Sequence, residues 1–297
     1  AARSRRRISL VSMSEDGLPP LRDVIAHHQL RADKRFGQNF ILDLNLTRRI
    51  ARTAGDIAQC DVIEIGPGPG GLTRGLLMEG ARKVIVIEAD RRFLPALEDI
   101  AAHYPGRVDI IQGDALKIDS ASLTDAPYRI VSNLPYNVAT PLIIDWLQSA
   151  WQDGSWQPKF LSLTLMFQKE VAQRLVAKHK ERAYGRLGVL AGWLTYADLV
   201  FEVDRQAFVP PPKVTSAIVQ LTPRAQPLAE ADPKTFEKLT AAAFGQRRKM
   251  LRASLKQICL DPHDLLARAG IDETARAEEI SVEAFCTLAR LLDEAVS

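Results

Sequence analysis

The feature that most narrows the fold is an alternation: between Asp61 and about Thr222, short unbroken apolar runs take turns with amphipathic stretches. Val62-Ile63-Glu64-Ile65 reads as a buried strand, and a glycine-rich turn leads from it into a helix over 72–78. The strand pattern returns at 84–88 and the helical one at 93–102. Two further strands, at 108–111 and 129–132, each end in polar residues; a helix near 141–147 and a longer strand at 160–167 follow. A strand apolar on both faces must be covered on both, so such strands separated by helices predict an α/β fold, a parallel sheet between helical layers. Near its end, 200–203 and 216–222 read as an antiparallel pair. Pro210-Pro211-Pro212 between them must be a loop, because proline has no N–H to give to a ladder.

After the sheet the pattern changes. Residues 223–233, rich in proline and alanine, read as a linker. Beyond it the apolar spacing is helical: Phe236, Leu239, Ala243 and Phe244 share one face and Leu251, Leu255 and Ile258 another. Leu265, Leu266, Leu288, Leu291 and Leu292 continue it, with Gly270 suited to stop one helix and Ser281 to cap the last. A sheet-bearing domain is expected over 18–222 and a helical one over 226–297. Residues 1–17, opening with Arg3, Arg5, Arg6 and Arg7 and no apolar stretch, are expected to be a disordered leader.

Composition matters mainly for what it excludes. A chain with 46% hydrophobic and 25% charged residues has ample core and is neither disordered nor a disulfide scaffold. Its longest apolar stretch, at 160–167, is far short of the roughly 18 residues that span a membrane. Cys60, Cys259 and Cys286 form no CxxC pair, which suits a reduced, cytoplasmic setting. His27, His28, His103, His179 and His263 show no ligand spacing, so no metal is expected.

The chemistry sits at successive strand ends, where α/β folds bind ligands. Glu64-Ile65-Gly66-Pro67-Gly68-Pro69-Gly70-Gly71 turns strand into helix, and its glycines let backbone approach a ligand where a Cβ would collide. Gly66, Gly68 and Gly71 also satisfy the dinucleotide fingerprint GxGxxG, and Glu88, ending the second strand, could accept from ribose hydroxyls of NAD or of S-adenosylmethionine. Asp114, after the third strand, could accept an adenine amine. Asn133-Leu134-Pro135-Tyr136, ending the fourth, separates the two cofactors. An adenine N6 is a poor nucleophile because its lone pair is delocalised into the ring. The Asn133 amide oxygen and a carbonyl of Leu134 or Pro135 could accept from that NH₂ and bias the nitrogen toward a tetrahedral form. Tyr136 would stack on the base, and Pro135 stiffens the loop. Catalysis would then rest on positioning and electrostatics, without a metal or covalent nucleophile.

These stretches resemble the KsgA/RsmA family of small-subunit rRNA adenine N6,N6-dimethyltransferases. The matching blocks are Phe36-Gly37-Gln38-Asn39-Phe40-Ile41-Leu42-Asp43, the Glu64 to Gly71 turn, Asn133-Leu134-Pro135-Tyr136-Asn137, Phe208-Val209-Pro210-Pro211-Pro212-Lys213-Val214 and Phe244-Gly245-Gln246-Arg247-Arg248-Lys249. They cover nearly all the chain from about Leu18; Ile41 stands where Leu is commoner. The resemblance implies a Rossmann-like class I methyltransferase sheet, mostly parallel with an antiparallel strand near its end, and a small all-helical C-terminal domain that binds rRNA. It also implies that Gln38, Asn39 and Ile41 belong to a segment closing over the methionine end of S-adenosylmethionine, where Gly66 lies too. Glu88 would hold the ribose, Asp114 the adenine ring, and Asn133 would border both cofactor and target. The implied reaction is N6,N6-dimethylation of two adjacent adenines in the 3′-terminal hairpin loop of 16S rRNA, by a monomer acting on a pre-30S particle during subunit assembly.

The formal charge is only +3, so the distribution of basic residues has to carry any RNA argument. Arg247, Arg248, Lys249, Arg252 and Lys256 fall in a stretch without an acid and are candidates for phosphate contact. Arg31, Lys34, Arg35, Arg48, Arg49 and Arg52 form a second basic group. Lys213 is a further RNA candidate, and Phe208 reads either as a second stacking surface or as a core residue. Competing readings are an Erm-like enzyme acting on large-subunit rRNA, a nicotinamide oxidoreductase, and a non-catalytic RNA-binding assembly factor.

Overall fold

The computed structural model describes residues 13–33 and 38–295, apart from the side chains of Tyr136 and Asn137. The first elements are α1 (Leu21–His27), β1 (Phe40–Ile41), α2 (Leu44–Thr53), β2 (Asp61–Ile65), α3 (Gly71–Met78) and β3 (Lys83–Glu88). Next come α4 (Leu94–His103), β4 (Val108–Gln112), β5 (Tyr128–Ser132), α5 (Tyr136–Ser149), β6 (Trp151–Gln152), β7 (Ser155–Trp156) and β8 (Phe160–Gln168). The remainder is α6 (Lys169–Val176), α7 (Arg186–Leu194), β9 (Thr195–Val203), β10 (Phe208–Val209), β11 (Ser216–Pro223), α8 (Pro233–Gly245), α9 (Leu251–Ser254), α10 (Pro262–Arg268) and α11 (Val282–Glu294).

The main sheet has seven strands in the order β4-β3-β2-β5-β8-β11-β9. From β4 to β8 they run parallel, and β11 runs antiparallel to both β8 and β9. The expected α/β sheet is therefore present, with its antiparallel pair at one edge. β2 is buried at every position, whereas the edge strand β9 alternates buried or half-buried with exposed residues, as one-sided cover requires. From β2 the chain winds outward to β3 and β4, then returns to place β5 on the other side of β2. That reversal opens a crevice at the carboxyl ends of β2 and β5.

Helix limits follow their local signals. Asp232 accepts from Lys234 N and Thr235 N to cap α8, with Pro233 as its first residue. Ser281 caps α11 through Ala284 N, and Gly270, at φ +64°, follows α10 as expected. α5 starts at Tyr136, ahead of the expected helix, since Pro141 inside it removes one ladder bond without forbidding the preceding turn. The helices after Pro233 share a core with the sheet layer: Trp193 of α7 stacks on Phe236 of α8 at 4.0 Å between centroids.

One expectation needs correction. The leader expected over 1–17 reaches too far: Ser14 N donates to Leu18 O at 2.8 Å, and the Asp16 carboxylate meets the Arg74 guanidinium of α3 in two 2.6 Å bonds. Both side chains are essentially fully buried, and Arg74 also donates to Pro19 O. Residues 1–12, the rest of that expectation, lie outside the described ones. Among the described residues no helix is long and apolar enough to cross a membrane.

Candidate active site

The ends of β2, β3, β4 and β5 line one cavity of about 840 Å³, together with Gln38, Asn39 and Ile41 from the N-terminal side. The glycine turn forms its floor. Gly70 starts α3 in the left-handed region at φ +85°, which an L side chain rarely adopts. At Gly71 a Cβ would lie 2.5 Å from the Ile41 carbonyl oxygen, so β1 can seat there only because no side chain intervenes.

Glu88 is 5% exposed and accepts from Gly68 N at 3.1 Å and Asp90 N at 2.8 Å. Burial pushes its carboxyl above the usual carboxylate range, and the backbone donors of Asp90 and Gly68 pull it partly back. A carboxylate has about four acceptor positions, so these two bonds leave room for hydroxyl donors from the cavity. Asp114 caps the turn after β4 through Leu116 N at 3.1 Å, half-exposed at the cavity rim.

Glu64, which the sequence reading placed in a buried strand and at the head of the glycine turn without giving it a role, also lines the cavity. Its carboxyl is fully buried, takes a 2.6 Å bond from the Thr73 hydroxyl, and is pushed up to about 8, mainly by burial and further by the charge of Glu88. The signal in the sequence was an acid inside an otherwise apolar run. Because the folded protein holds this proton more tightly than the unfolded chain, with its ordinary value of 4.5, Glu64 disfavours folding increasingly as pH rises from about 4.5 to about 8. Glu64→Gln should flatten that decline by a few kcal/mol, on the order set by about 1.4 kcal/mol per pKa unit; chemical denaturation of both proteins at pH 5 and pH 8.5 measures it. An equal loss in both proteins would remove Glu64 as its source.

Asn133 follows β5, whose Ser132 hydroxyl donates to Ile65 O at 2.6 Å and ties the two strand ends together. Its Nδ2 donates to the Asn39 carbonyl at 3.2 Å, while Oδ1 accepts nothing among the described residues. The carbonyl of Pro135 accepts Val138 N of α5 at 3.1 Å; that of Leu134 takes no hydrogen bond among the described residues. Of the two carbonyls the sequence left open, Leu134's is the one with no bond among the described residues. The stacking expected of Tyr136 lies outside the described side chains, and Phe36, Gly37, Lys34 and Arg35 outside the described residues.

On the N-terminal side, Gln38 accepts from Asp33 N at 2.9 Å and reaches Asp90 at 3.4 Å, linking this segment to the loop after Glu88. β1 pairs antiparallel with β10, Phe40 opposite Val209 and Ile41 opposite Phe208. Phe208 is 2% exposed and packs in the core with Ile41, Ile50 and Val203. It therefore offers no ring face to a base, which corrects the stacking alternative. The pairing itself went unforeseen, because two-residue strands carry no periodicity.

Among the basic candidates, Lys213, Arg248, Lys249 and Lys256 are exposed and make no ion pair among the described residues. Arg247 is paired with Glu278 at 2.9 Å and Arg252 with Glu273 at 2.7 Å. In the second group, Arg48 and Arg52 share Glu79 at 2.6 and 2.9 Å, and Arg49 lies 3.9 Å over the Phe201 ring.

A cavity that offers a buried ribose-height carboxylate and, beside it, an uncommitted amide oxygen suits a nucleoside cofactor facing an amine. The family model described as Ribosomal RNA adenine dimethylase matches residues 29–294. The chain belongs to the ribosomal RNA adenine dimethylase family. Ribosomal RNA small subunit methyltransferase A of Paracoccus denitrificans (strain Pd 1222) is 60% identical over 275 residues, 93% of this chain and 96% of that one. Its counterpart from Rhizobium meliloti (strain 1021) is 59% identical over 93% of this chain and 98% of its own. Among solved structures, a dimethyladenosine transferase from Plasmodium falciparum superposes with a TM-score of 0.70 at 25% identity, covering 85% of this chain and 96% of its own. The 23S rRNA methyltransferase ErmE follows at 0.63 and 30% identity, covering 86% and 100%. Membership in the family agrees with the mostly parallel seven-stranded sheet.

Proposed function

We propose that this chain dimethylates N6 of two adjacent adenines in the 3′-terminal hairpin loop of small-subunit (16S) rRNA, with S-adenosylmethionine as methyl donor. The observation that carries the reading is the Asn133 amide, whose nitrogen is committed to Asn39 O and whose oxygen is left as an acceptor at the cavity. The residues fit the donor: Glu88 retains acceptor positions toward ribose hydroxyls, Asp114 sits at the rim where an adenine amine would lie, and Gly66 and Ile41 line the cavity where the methionine end would lie. When bound, S-adenosylmethionine supplies an electrophilic methyl carbon next to a cationic sulfur. The chain's own work is to hold the target amine. Asn133 Oδ1 and the Leu134 carbonyl accept its two hydrogens, bias the nitrogen toward a tetrahedral form whose lone pair is no longer delocalised into the ring, and orient it. Each addition replaces one N–H, whose proton leaves to solvent, so the second is held through the one remaining N–H by one of these two acceptors.

Identity of 60% to a small-subunit enzyme against 30% to a 23S enzyme favours the small-subunit target over an Erm-like one. The helical region from about 226 onward, with Arg248, Lys249 and Lys256, would face rRNA alongside Lys213. The protein would act as a monomer in the cytoplasm, on a pre-30S particle during assembly; Cys60, Cys259 and Cys286 are free thiols, in keeping with a reducing compartment. The test is transfer of labelled methyl groups to unmethylated small-subunit particles beside naked rRNA, followed by digestion and mapping of dimethyladenine. Label confined to large-subunit rRNA, or none at all, overturns the reading.

Glu88→Ala should weaken S-adenosylmethionine binding by about ten- to a hundredfold, the worth of one or two hydrogen bonds to a charged group, and leave RNA affinity within a few fold. Calorimetric titration with the cofactor measures it, and unchanged binding would remove Glu88 from the site.

A further inference from the structure

Residues 177–185 form a loop between α6 and α7 that the rRNA reading has not used; Ala177 and Tyr184 anchor it in the core, while Lys178, Lys180 and Arg182 are exposed and without an ion pair among the described residues. The loop lies against the basic turn after α8. Arg247 Nη2 donates to Arg182 O at 2.7 Å, Arg247 Nε meets Glu278 at 2.9 Å, and Lys180 N donates to Glu278 O at 2.8 Å. Lys180 is held at φ +71°, a conformation a non-glycine residue keeps only when its surroundings enforce it. Its one acid, Glu181, is turned back onto Lys178 N at 3.1 Å.

We infer that residues 177–185 and the turn 246–249 make a single phosphate-binding face for the rRNA backbone, presented by Lys178, Lys180, Arg182, Arg248 and Lys249, and that Arg247 with Glu278 is the clip that holds its two halves together. This rests on the reading of rRNA as substrate and deepens it. Arg247 opens the basic run of the turn and touches the loop, yet its guanidinium is spent on a carboxylate and a carbonyl. Arg248 and Lys249 after it, and Lys178, Lys180 and Arg182 in the loop, make no ion pair among the described residues. A pre-ordered loop loses less conformational entropy on binding, so a clip that contributes no phosphate contact still raises affinity. RNA suits such a face because its charges recur along the backbone at a spacing that several exposed cations can meet at once.

The clip makes a prediction of sign. Glu278→Ala removes a negative charge from the face and should nevertheless weaken binding to unmethylated small-subunit particles, by about three- to tenfold, because Arg247 and the loop lose their anchor. The triple variant Lys178→Gln, Lys180→Gln, Arg182→Gln should lower the slope of log K against log salt by about two to three, the number of phosphates given up. Cofactor affinity should be unchanged in both variants. Binding of Glu278→Ala as tight as wild type or tighter, or an unaltered slope in the triple variant, overturns the inference. If the wild-type protein leaves small-subunit rRNA unmethylated, the substrate reading fails and takes this face with it. If it methylates that rRNA while the triple variant keeps its slope, only the face fails.

Discussion

Asn133→Ala should slow methyl transfer about a thousandfold while RNA affinity stays within a few fold. A thousandfold corresponds to about 4 kcal/mol of barrier at about 1.36 kcal/mol per decade, the upper end of what one preorganised polar group contributes. The size follows from the geometry. The 3.2 Å bond from Asn133 Nδ2 to Asn39 O decides which end of the amide faces the cavity as acceptor, so the oxygen is already oriented before a base arrives. Asn133→Asp is the informative companion. It keeps an oxygen acceptor but sets a carboxylate against the Asn39 carbonyl, so it should lose the anchor and with it most of the rate. Single-turnover transfer with labelled cofactor separates this from a binding defect. Asn133→Ala turning over at the wild-type rate would sink the lone-pair mechanism, and a fully active Asn133→Asp would show that the anchor does not matter.

Asp16→Ala should destabilise the protein by about 3–5 kcal/mol, the cost of stranding one partner of a buried ion pair. Arg74 is 1% exposed and Asp16 fully buried, so no water replaces the two lost 2.6 Å bonds, and Pro19 O alone cannot compensate a guanidinium. At roughly 2–4 °C per kcal/mol for a chain of this size, the melting temperature should fall by roughly 10 °C. The double variant Asp16→Ala, Arg74→Leu should recover much of the loss, because an apolar pair carries no stranded charge. Thermal melts of the three proteins decide it. A loss below about 1 kcal/mol, typical of a surface pair, would mean that water reaches Arg74.

Periodicity carried most of the fold. Central strands apolar on both faces, the glycine turn after β2 and the helical spacing beyond Pro233 are local patterns; the central strands appeared within a residue or two of where they were expected, while α5 and β9 begin five residues earlier. The strand-end residues Glu88, Asp114 and Asn133 were legible for the same reason: in a parallel sheet the carboxyl ends all face one side, so order along the chain already brings them to one cavity.

What periodicity could not supply was partners. The stretch around Arg247 holds no acid, yet Glu278 and Glu273 arrive from a later turn to neutralise Arg247 and Arg252. Asp16 was expected to lie in a disordered leader, and it forms a buried pair with Arg74. Phe208 could have been a stacking surface until β10 paired with β1 and covered it. The sequence alone determined the order of the layers and the strand-end residues of the cavity, because both follow from which residues repeat and at what spacing; Gln38, Asn39 and Ile41 were expected there only from the family resemblance, and Glu64 was not singled out. Only the tertiary structure decided which charges remain available to a ligand, because pairing between residues far apart in the chain leaves no trace in the local pattern of either.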